Sequence, residues 1–202
     1  MTDKEQIILL QKENESLKRE IQLVKLRRQV TPHFLFNSIS VAVSLVAQSP
    51  KTAMKFLRHL AQMYRYLLNY GNEYHVPIEQ EMEILMQYYE LMRLRHVNCI
   101  TMEVSRSAKR LKHHPLPPLA LQGLLENAIK HNVHTEEKPL HVVIAVEDGM
   151  VVVSNRRAPL ISDSSSTHKG LAYINETMRL LFSREIEIVK TEDTFTVKIP
   201  LL

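Results

Sequence analysis

A single histidine near the start of the chain stands in a setting that could do phosphoryl chemistry. His33 follows Pro32, has apolar neighbours and precedes Asn37 by four positions. If the segment is helical, His33 and Asn37 lie one turn apart on one face, so the amide could hold the imidazole or a group attached to it. A neutral imidazole can act as a nucleophile near pH 7. The segment therefore predicts phosphoryl acceptance or general-base catalysis, with an ordinary half-buried histidine as the alternative.

A second group of polar side chains lies on the helix predicted over Leu119–Val133. Its core-facing residues are apolar: Leu121, Leu124, Leu125, Ala128 and Ile129. Asn127, Lys130 and His131 follow at spacings of three and four and share an outward face. Asn127 offers a carbonyl oxygen to a hard cation such as Mg²⁺, and Lys130 offers positive charge to phosphates. The pattern indicates a nucleotide site or, alternatively, a solvated helix face.

The composition excludes several classes of function. A chain of 202 residues, 45% of them hydrophobic, can bury a core in one domain or two small ones. Its four glycines form neither a P-loop nor a dinucleotide fingerprint. The formal charge is +4, but basic and acidic residues are interleaved without a basic stripe, so we expect no nucleic-acid partner.

The single cysteine and the absence of long apolar runs bear on location. Cys99 cannot form an internal disulfide or a cysteine-rich zinc site, which suits a reducing, cytoplasmic compartment. The sequence holds no run of about 18 apolar residues, and the charged N-terminus does not resemble a signal peptide. Any membrane attachment would come through segments absent from this chain.

The residues before His33 predict a coiled coil. Between Lys4 and Arg28 there is no glycine or proline, and the apolar residues alternate at spacings of three and four: Ile7, Leu10, Leu17, Ile21 and Val24. Asn14 falls in the same seam, and a single buried asparagine fixes register and favours two strands. We expect a parallel homodimer, with an amphipathic helix packed on its own chain as the alternative.

Two helices should carry and support His33. The helical pattern runs from Gln22 to about Gln48, stops at Ser49-Pro50 and resumes over about Lys51–Tyr70. The second helix has an apolar stripe: Ala53, Phe56, Leu57, Leu60, Tyr64, Leu67 and Leu68. The pair predicts an antiparallel hairpin, and two hairpins in a dimer would form a four-helix bundle.

An amphipathic connector helix is predicted from Pro77 to about His96. Its apolar residues are Ile84, Leu85, Tyr88, Leu91 and Leu94. Acids precede bases along it, with Glu79, Glu81 and Glu83 early and Arg93 and Arg95 late. This order matches the dipole of the connector helix itself.

The last hundred residues alternate between strand and helix patterns and predict an α+β sandwich. Asp148-Gly149 is a strong hairpin turn signal, and the polar, serine-rich segment 156–169 should be a mobile loop. Besides the asparagine-bearing helix, the predicted elements are strands at Ile100–Val104, His141–Glu147, Met150–Asn155, Glu185–Val189 and Thr194–Ile199 and a helix at Gly170–Phe182.

Two boxes carry a family resemblance. Pro-His-Phe-Leu-Phe-Asn at residues 32–37 resembles the phosphoacceptor box of LytS/YehU-type sensor histidine kinases, and Leu-Leu-Glu-Asn-Ala-Ile-Lys-His at 124–131 is similar to the asparagine box of GHKL-type ATPases. The resemblance covers about residues 22–202. After the coiled-coil lead-in that the heptad pattern predicts at 1–28, it implies a phosphoacceptor hairpin at 29–75, a connector at 76–98 and an ATP-binding α+β domain at 99–202.

The resemblance also implies an activity and roles for single residues. The protein would be a homodimeric kinase that uses ATP and Mg²⁺, phosphorylates His33 beside Asn37 and passes the phosphoryl group to an aspartate of a response-regulator receiver domain. Asn127 would hold Mg²⁺, and Lys130 and His131 would orient the phosphates. Many histidine kinases carry an acid directly after the histidine, but this chain has phenylalanine there, so Glu126 is the candidate proton acceptor.

Two further boxes depart from the family pattern. The family usually has Asp-Asn-Gly-x-Gly after the second hairpin strand, whereas this chain has Ser-Asn-Arg-Arg, so Ser154 or Asn155 would contact the adenine without a charge. Of the next glycine box, Gly170 and Leu171 remain. The alternative is therefore a catalytically weak or inactive signalling or scaffold dimer. A DNA-binding protein would need the basic stripe that the sequence lacks, and an unrelated ATPase would leave the histidine box unexplained.

Overall fold

A computed structural model describes residues 32–71, 73–97, 99–158 and 169–201. The coiled coil predicted before residue 28 lies outside them, as does most of the serine-rich segment. The helices of this described part are α1 (Pro32–Gln48), α2 (Pro50–Tyr70), α3 (Ile78–Arg95), α4 (Arg106–Arg110), α5 (Ala120–His131) and α6 (Lys169–Phe182). Its strands are β1 (Val76–Pro77), β2 (Ile100–Val104), β3 (Pro115–Leu116), β4 (Leu140–Glu147), β5 (Met150–Arg156), β6 (Glu187–Lys190) and β7 (Thr194–Pro200).

Helices α1 and α2 form the hairpin, and Ser49 alone separates them. The Ser49 hydroxyl accepts the backbone N–H of Thr52 at 3.3 Å, and Pro50 occupies the first turn of α2. A serine cap followed by proline is a strong helix start, which explains why the chain reverses at this residue. The predicted helix boundaries at Gln48 and Tyr70 agree with the structure.

The buried face of α2 differs from the predicted stripe. Met63 and Tyr66 are buried, whereas Leu57 is 45% and Leu68 is 81% exposed. Helix α2 packs against α3 as well as α1, so its buried face must serve two neighbours. The sequence of α2 alone does not indicate where α3 packs. The predicted buried face is therefore rotated around the helix axis from the observed one.

A mixed five-stranded sheet forms the second half of the fold, in the order β2-β4-β5-β7-β6. Strand β2 runs parallel to β4, and the other neighbours are antiparallel. The predicted turn between β4 and β5 is present: Asp148 and Gly149 both have positive φ, 49° and 74°, as a two-residue hairpin turn requires. Strands β1 and β3 form a separate, short antiparallel pair.

Helix α5 packs on β4 and β5, with α3 and α6 on its flanks. One continuous apolar core runs from Ala42 and Phe56 in the hairpin through Leu85 of α3 to Ile144 and Val197 of the sheet. The helices therefore cover one face of the sheet, and the expected α+β architecture is confirmed. Among the described helices, none has both the length and the apolar character of a membrane span.

Candidate phosphoacceptor and nucleotide site

The hairpin presents the histidine box near the N-terminal end of α1. His33 and Asn37 both belong to this helix, one turn apart, and the Asn37 side chain is exposed. The His33 side chain lies outside the described part, so the predicted contact between the amide and the imidazole stays a prediction. The helical backbone does put both residues on one face of α1.

An apolar stripe lies exposed along the hairpin. On α1, Phe36 is 68% and Val43 is 67% exposed, with Ile39 and Val46 completing a spacing of three and four. On α2, Met54 and Leu57 are exposed apolar side chains as well. Single exposed apolar residues are common on protein surfaces. A row of them along one helix face is typical of an interaction site.

Asn127 occupies the middle of α5, where it faces the start of α6. Its side-chain Nδ2 is buried and finds no hydrogen-bond partner within the described ranges. A Cβ atom on Gly170 would lie 3.2 Å from this Nδ2. Because glycine has no Cβ, the backbone at Gly170 can lie this close to the Asn127 side chain. Two residues that the sequence analysis names for the cofactor are thus neighbours in space.

The donor set around Asn127 fits a nucleotide-bound Mg²⁺ better than an all-protein metal site. The described residues hold no group of three or more histidine, cysteine, aspartate or glutamate side chains that could bind a metal ion. A half-turn of the Asn127 amide exchanges its oxygen and nitrogen, so the same place can offer a carbonyl oxygen to a hard cation. Mg²⁺ commonly takes one or two protein ligands and completes its shell with phosphate oxygens and water.

The other polar residues of α5 divide between two faces. Lys130 is exposed and His131 half-buried, and both follow Asn127 closely enough to share its face. Glu126 is exposed, accepts a hydrogen bond from Gln122 Nε2 at 3.2 Å and lies toward α3. Burial and then the Glu126 charge raise the pKa of Tyr88 on α3 well above its usual value. Glu126 therefore lies on the neighbouring face of α5, next to the face that carries Asn127.

Strand β5 separates the two residues predicted to meet the adenine. Asn155 is buried, pairs with Val142 and Phe195 in the sheet register and lies on the face that α5 covers. Its Nδ2 donates to the carbonyl oxygen of Arg156 at 2.8 Å. Ser154 points to the opposite face.

The opposite face holds Ser154 in a hydrogen bond of its own. Its hydroxyl lies 2.9 Å from that of Thr196. Of this predicted pair, the structure therefore brings only Asn155 to the side of Asn127. Leu171, next to Gly170, packs partly buried against the core and anchors the start of α6.

A buried asparagine that the sequence analysis does not single out closes the far end of α5. Asn132 Nδ2 donates to the carbonyl oxygen of Ala128 at 2.8 Å, and its Oδ1 accepts the N–H of Ala158 at 2.7 Å. The Val133 N–H also donates to the Ala158 carbonyl at 2.7 Å. These bonds tie the end of α5 to the segment that follows β5. The usual asparagine signal at a helix end is a left-handed residue, whereas Asn132 is extended, so no local pattern singles out its role.

A glutamate from α3 closes the other end of α5. The fully buried Glu81 accepts the Tyr66 hydroxyl at 2.6 Å and the Leu119 N–H at 2.7 Å on Oε1, and the Leu121 N–H at 3.0 Å on Oε2. Burial raises the Glu81 pKa to about 7, and hydrogen bonds from Tyr66 and from the backbone at the start of α5 oppose the rise. Glu81 lies in the first turn of its own helix, as the predicted order of charges requires, but its carboxylate also caps α5, which the sequence did not indicate.

The sequence did contain a signal for the burial of Glu81. It precedes Ile84, Leu85 and Tyr88 by three, four and seven positions, in phase with the apolar face of α3. An acid in that phase must be paired when it is buried. The identity of its partners, on α2 and at the start of α5, depends on the tertiary fold.

Several solved structures resemble this chain at low identity. The histidine kinase AdeS of Acinetobacter baumannii has a TM-score of 0.41 at 16% identity, over 92% of this chain and 97% of that one. The catalytic domain of histidine kinase ThkA has a TM-score of 0.41 at 13% identity, over 62% of this chain and 94% of that one. With TM-scores this low, the likenesses add nothing to the assignment of the chain.

The sequence comparisons are more specific. A family model described as histidine kinase matches residues 21–100, a range that includes the histidine box. Sensor protein kinase HptS of Staphylococcus aureus strain USA300 is 32% identical over 187 residues, 85% of this chain and 36% of HptS, and HptS of strain MRSA252 gives the same values. The chain thus spans about a third of the length of these curated relatives. These findings confirm the resemblance read from the two boxes: residues 21–100 match the histidine kinase family model, and most of the chain is similar to a sensor protein kinase.

Proposed function

We propose that this chain is the kinase core of a two-component sensor, in which His33 accepts the γ-phosphoryl group of ATP and passes it to an aspartate of a response-regulator receiver domain. The observation that carries the proposal is the buried, unpaired amide end of Asn127 beside Gly170 in the described part of the chain. Burying such a group unpaired costs about 1–3 kcal/mol. A ligand that completes its bonding would recover that free energy.

Asn127, Lys130 and His131 would hold the nucleotide. Histidine kinases use ATP with Mg²⁺, and the bound ion neutralises charge on the phosphate oxygens during transfer. Asn127 would supply the single protein oxygen to that ion, because the described part lacks a carboxylate cluster that could do so. Lys130 is exposed on the same helix face and can approach the phosphates as a point charge.

One carboxylate and one amide, those of Glu126 and Asn155, would complete the site. Glu126 is exposed, so it can meet an imidazole that approaches from solvent and accept its proton. For the adenine we propose Asn155 rather than Ser154, since Asn155 lies on the face covered by α5 whereas the Ser154 hydroxyl is bonded to Thr196. An amide can accept a hydrogen bond from the adenine amino group.

The exposed hairpin stripe supports a homodimer. Phe36, Ile39, Val43 and Val46 line one side of α1 and have no cover within the described chain. Two such hairpins packed stripe to stripe would form a four-helix bundle and bury these side chains. The kinase core would then lie in the cytoplasm, the compartment of its receiver partner.

Radiolabelling tests the proposed reaction. Purified protein is incubated with Mg²⁺ and γ-labelled ATP, and we expect an acid-labile, base-stable label that is absent from His33→Gln. His113→Gln is the matched control, because His113 is an exposed histidine outside the site and should keep the label. A wild-type protein that stays unlabelled at millimolar ATP and binds no nucleotide would contradict the proposal and favour the scaffold.

A further inference from the structure

The start of α5 is a polar junction built from three helices. The Glu81 carboxylate of α3 accepts from the Tyr66 hydroxyl of α2 and from the Leu119 and Leu121 N–H groups at the start of α5. Glu81 has no exposed surface and Tyr66 is 8% exposed. Water therefore cannot replace these bonds without local opening, and each of them constrains the position of α5.

Helix α5 depends on Glu81 because it has no side-chain cap of its own. Leu119 occupies the N-cap position with φ of 63°, a left-handed conformation that is costly for leucine, and its side chain cannot accept a hydrogen bond. The carboxylate supplies both the acceptors and the negative charge that a helix N-terminus favours. A glutamate from a neighbouring helix thus accepts the N–H groups that a serine or aspartate at the N-cap position usually accepts.

Tyr66 brings the phosphoacceptor hairpin into this junction. Since Ser49 alone separates the two antiparallel helices, residues equally far from it lie at about the same level of the hairpin. His33 is sixteen residues before Ser49 and Tyr66 is seventeen after it. At the other side of the junction, Leu121 lies about 9 Å along the helix axis from Asn127. The junction therefore connects the hairpin level of His33 with the helix of the nucleotide site.

We propose that Tyr66 and Glu81 are positioning residues for phosphoryl transfer, which hold the helix of Asn127 at a fixed height against the part of the hairpin that carries His33. This inference rests on the proposed kinase function. Helix α6 joins the same junction, because the Tyr173 hydroxyl donates to the carbonyl oxygen of Pro118 at 3.2 Å. Phosphoryl transfer depends on in-line placement, so a small shift of α5 should slow the transfer more than it weakens nucleotide binding.

A pair of matched tyrosine variants tests the proposal. Tyr66→Phe removes the hydroxyl that donates to Glu81, whereas Tyr64→Phe removes a buried hydroxyl with no hydrogen-bond partner in the described part of the same hairpin. At saturating ATP we expect Tyr66→Phe to lower the initial rate of His33 labelling about tenfold, the equivalent of one hydrogen bond to a charged group. Its dissociation constant for Mg–ADP should stay within about twofold of wild type. Tyr64→Phe should change neither quantity.

A double-mutant cycle shows whether Tyr66 acts through Glu81. In a Glu81→Gln background, Tyr66→Phe should change the labelling rate by less than about twofold, because the bond it removes is already altered. Equal rates in wild type and Tyr66→Phe would overturn the proposal. So would a faster Tyr66→Phe, or effects of the two single variants that simply multiply in the double variant.

A spectroscopic measurement separates this inference from the proposed function. In the full chain, Tyr66→Phe should shift the side-chain amide resonances of Asn127, and Tyr64→Phe should leave them in place. An unlabelled wild type would refute the kinase function, and with it the transfer role, while a shift would still establish the coupling between the hairpin and α5. Unshifted Asn127 resonances in Tyr66→Phe would refute the coupling whatever the labelling result.

Discussion

The start and the middle of α5 treat their buried polar groups in opposite ways. At the start, both Glu81 oxygens accept hydrogen bonds, from Tyr66 and from two backbone N–H groups. In the middle, the Asn127 amide has a buried end without a partner in the described part, beside Gly170. A satisfied buried group stabilises the fold as it stands, whereas an unsatisfied one costs free energy until a ligand arrives. The first place therefore serves the architecture of the fold, and the unpaired amide at the second supports the proposed nucleotide site there.

Substitution of Asn127 should give the largest effect on activity and almost none on stability. We expect Asn127→Ala to abolish His33 labelling and to weaken Mg–ATP binding at least tenfold. The free energy of unfolding should stay at the wild-type value or rise by about 1 kcal/mol, because the variant removes an amide end that lacks a partner and introduces the best helix former. Isothermal titration with Mg–ATP and urea unfolding check the two halves of this prediction.

The matched control for Asn127→Ala is another buried polar group without a partner in the described chain. Thr177 Oγ1 on α6 fulfils this condition, and valine has the same shape as threonine. Thr177→Val should bind Mg–ATP like the wild type. If Asn127→Ala also kept wild-type affinity for Mg–ATP, its unpaired amide would be a packing defect rather than part of a site.

Removal of the Glu81 carboxylate should give the largest effect on stability. Glu81→Ala leaves two backbone N–H groups and the Tyr66 hydroxyl without their acceptor and opens a cavity, so we expect a loss of about 3 kcal/mol in the free energy of unfolding. Glu83→Ala, an exposed acid on the same helix, should change it by less than about 0.5 kcal/mol. Urea unfolding of both variants measures the contrast. Equal losses would show that Glu81 contributes no more than a surface charge.

The pH dependence of stability sharpens the same contrast. Burial raises the Glu81 pKa from 4.5 to about 7 in the folded state, so the fold binds this proton more tightly than the unfolded chain does. The stability from that proton is complete below pH 4.5 and is lost as the pH rises through 7. Between about pH 5 and 8, the unfolding free energy of wild type should fall by about 2 kcal/mol relative to Glu81→Gln.

Glu81→Gln serves as the reference for this titration because its amide does not ionise. Other groups near the junction are phenols: the pKa of Tyr66 is raised above its usual value, mainly by burial, so it stays neutral over this range. Urea unfolding at both pH values gives the difference directly. A constant difference between the two proteins would mean that the three donors to Glu81 fully offset its burial.

The sequence predicted the local features of this fold and missed those that depend on distant partners. The turn at Asp148-Gly149 and the stop at Ser49 follow from the conformations these residues favour. The neighbouring positions of Asn127 and Gly170 were implied only by the family resemblance, because no local pattern relates two helices so far apart in the chain. Glu81 shows the limit most clearly: its phase on α3 indicated burial, but its role as the cap of α5 required the tertiary structure.

The smallest predicted effect comes from two tyrosines of one helix. Both hydroxyls are buried or nearly so, but Tyr66 donates to Glu81 whereas that of Tyr64 has no partner among the residues the structure describes. We expect Tyr66→Phe to lose about 1–2 kcal/mol of unfolding free energy, and Tyr64→Phe to change it by no more than about 0.5 kcal/mol or to gain slightly, since an unpaired buried hydroxyl is costly. Urea unfolding resolves this difference. A loss in Tyr64→Phe as large as that in Tyr66→Phe would mean that burial alone, rather than hydrogen bonding, decides what these hydroxyls contribute. The contrast between the start and the middle of α5 would then lose its basis.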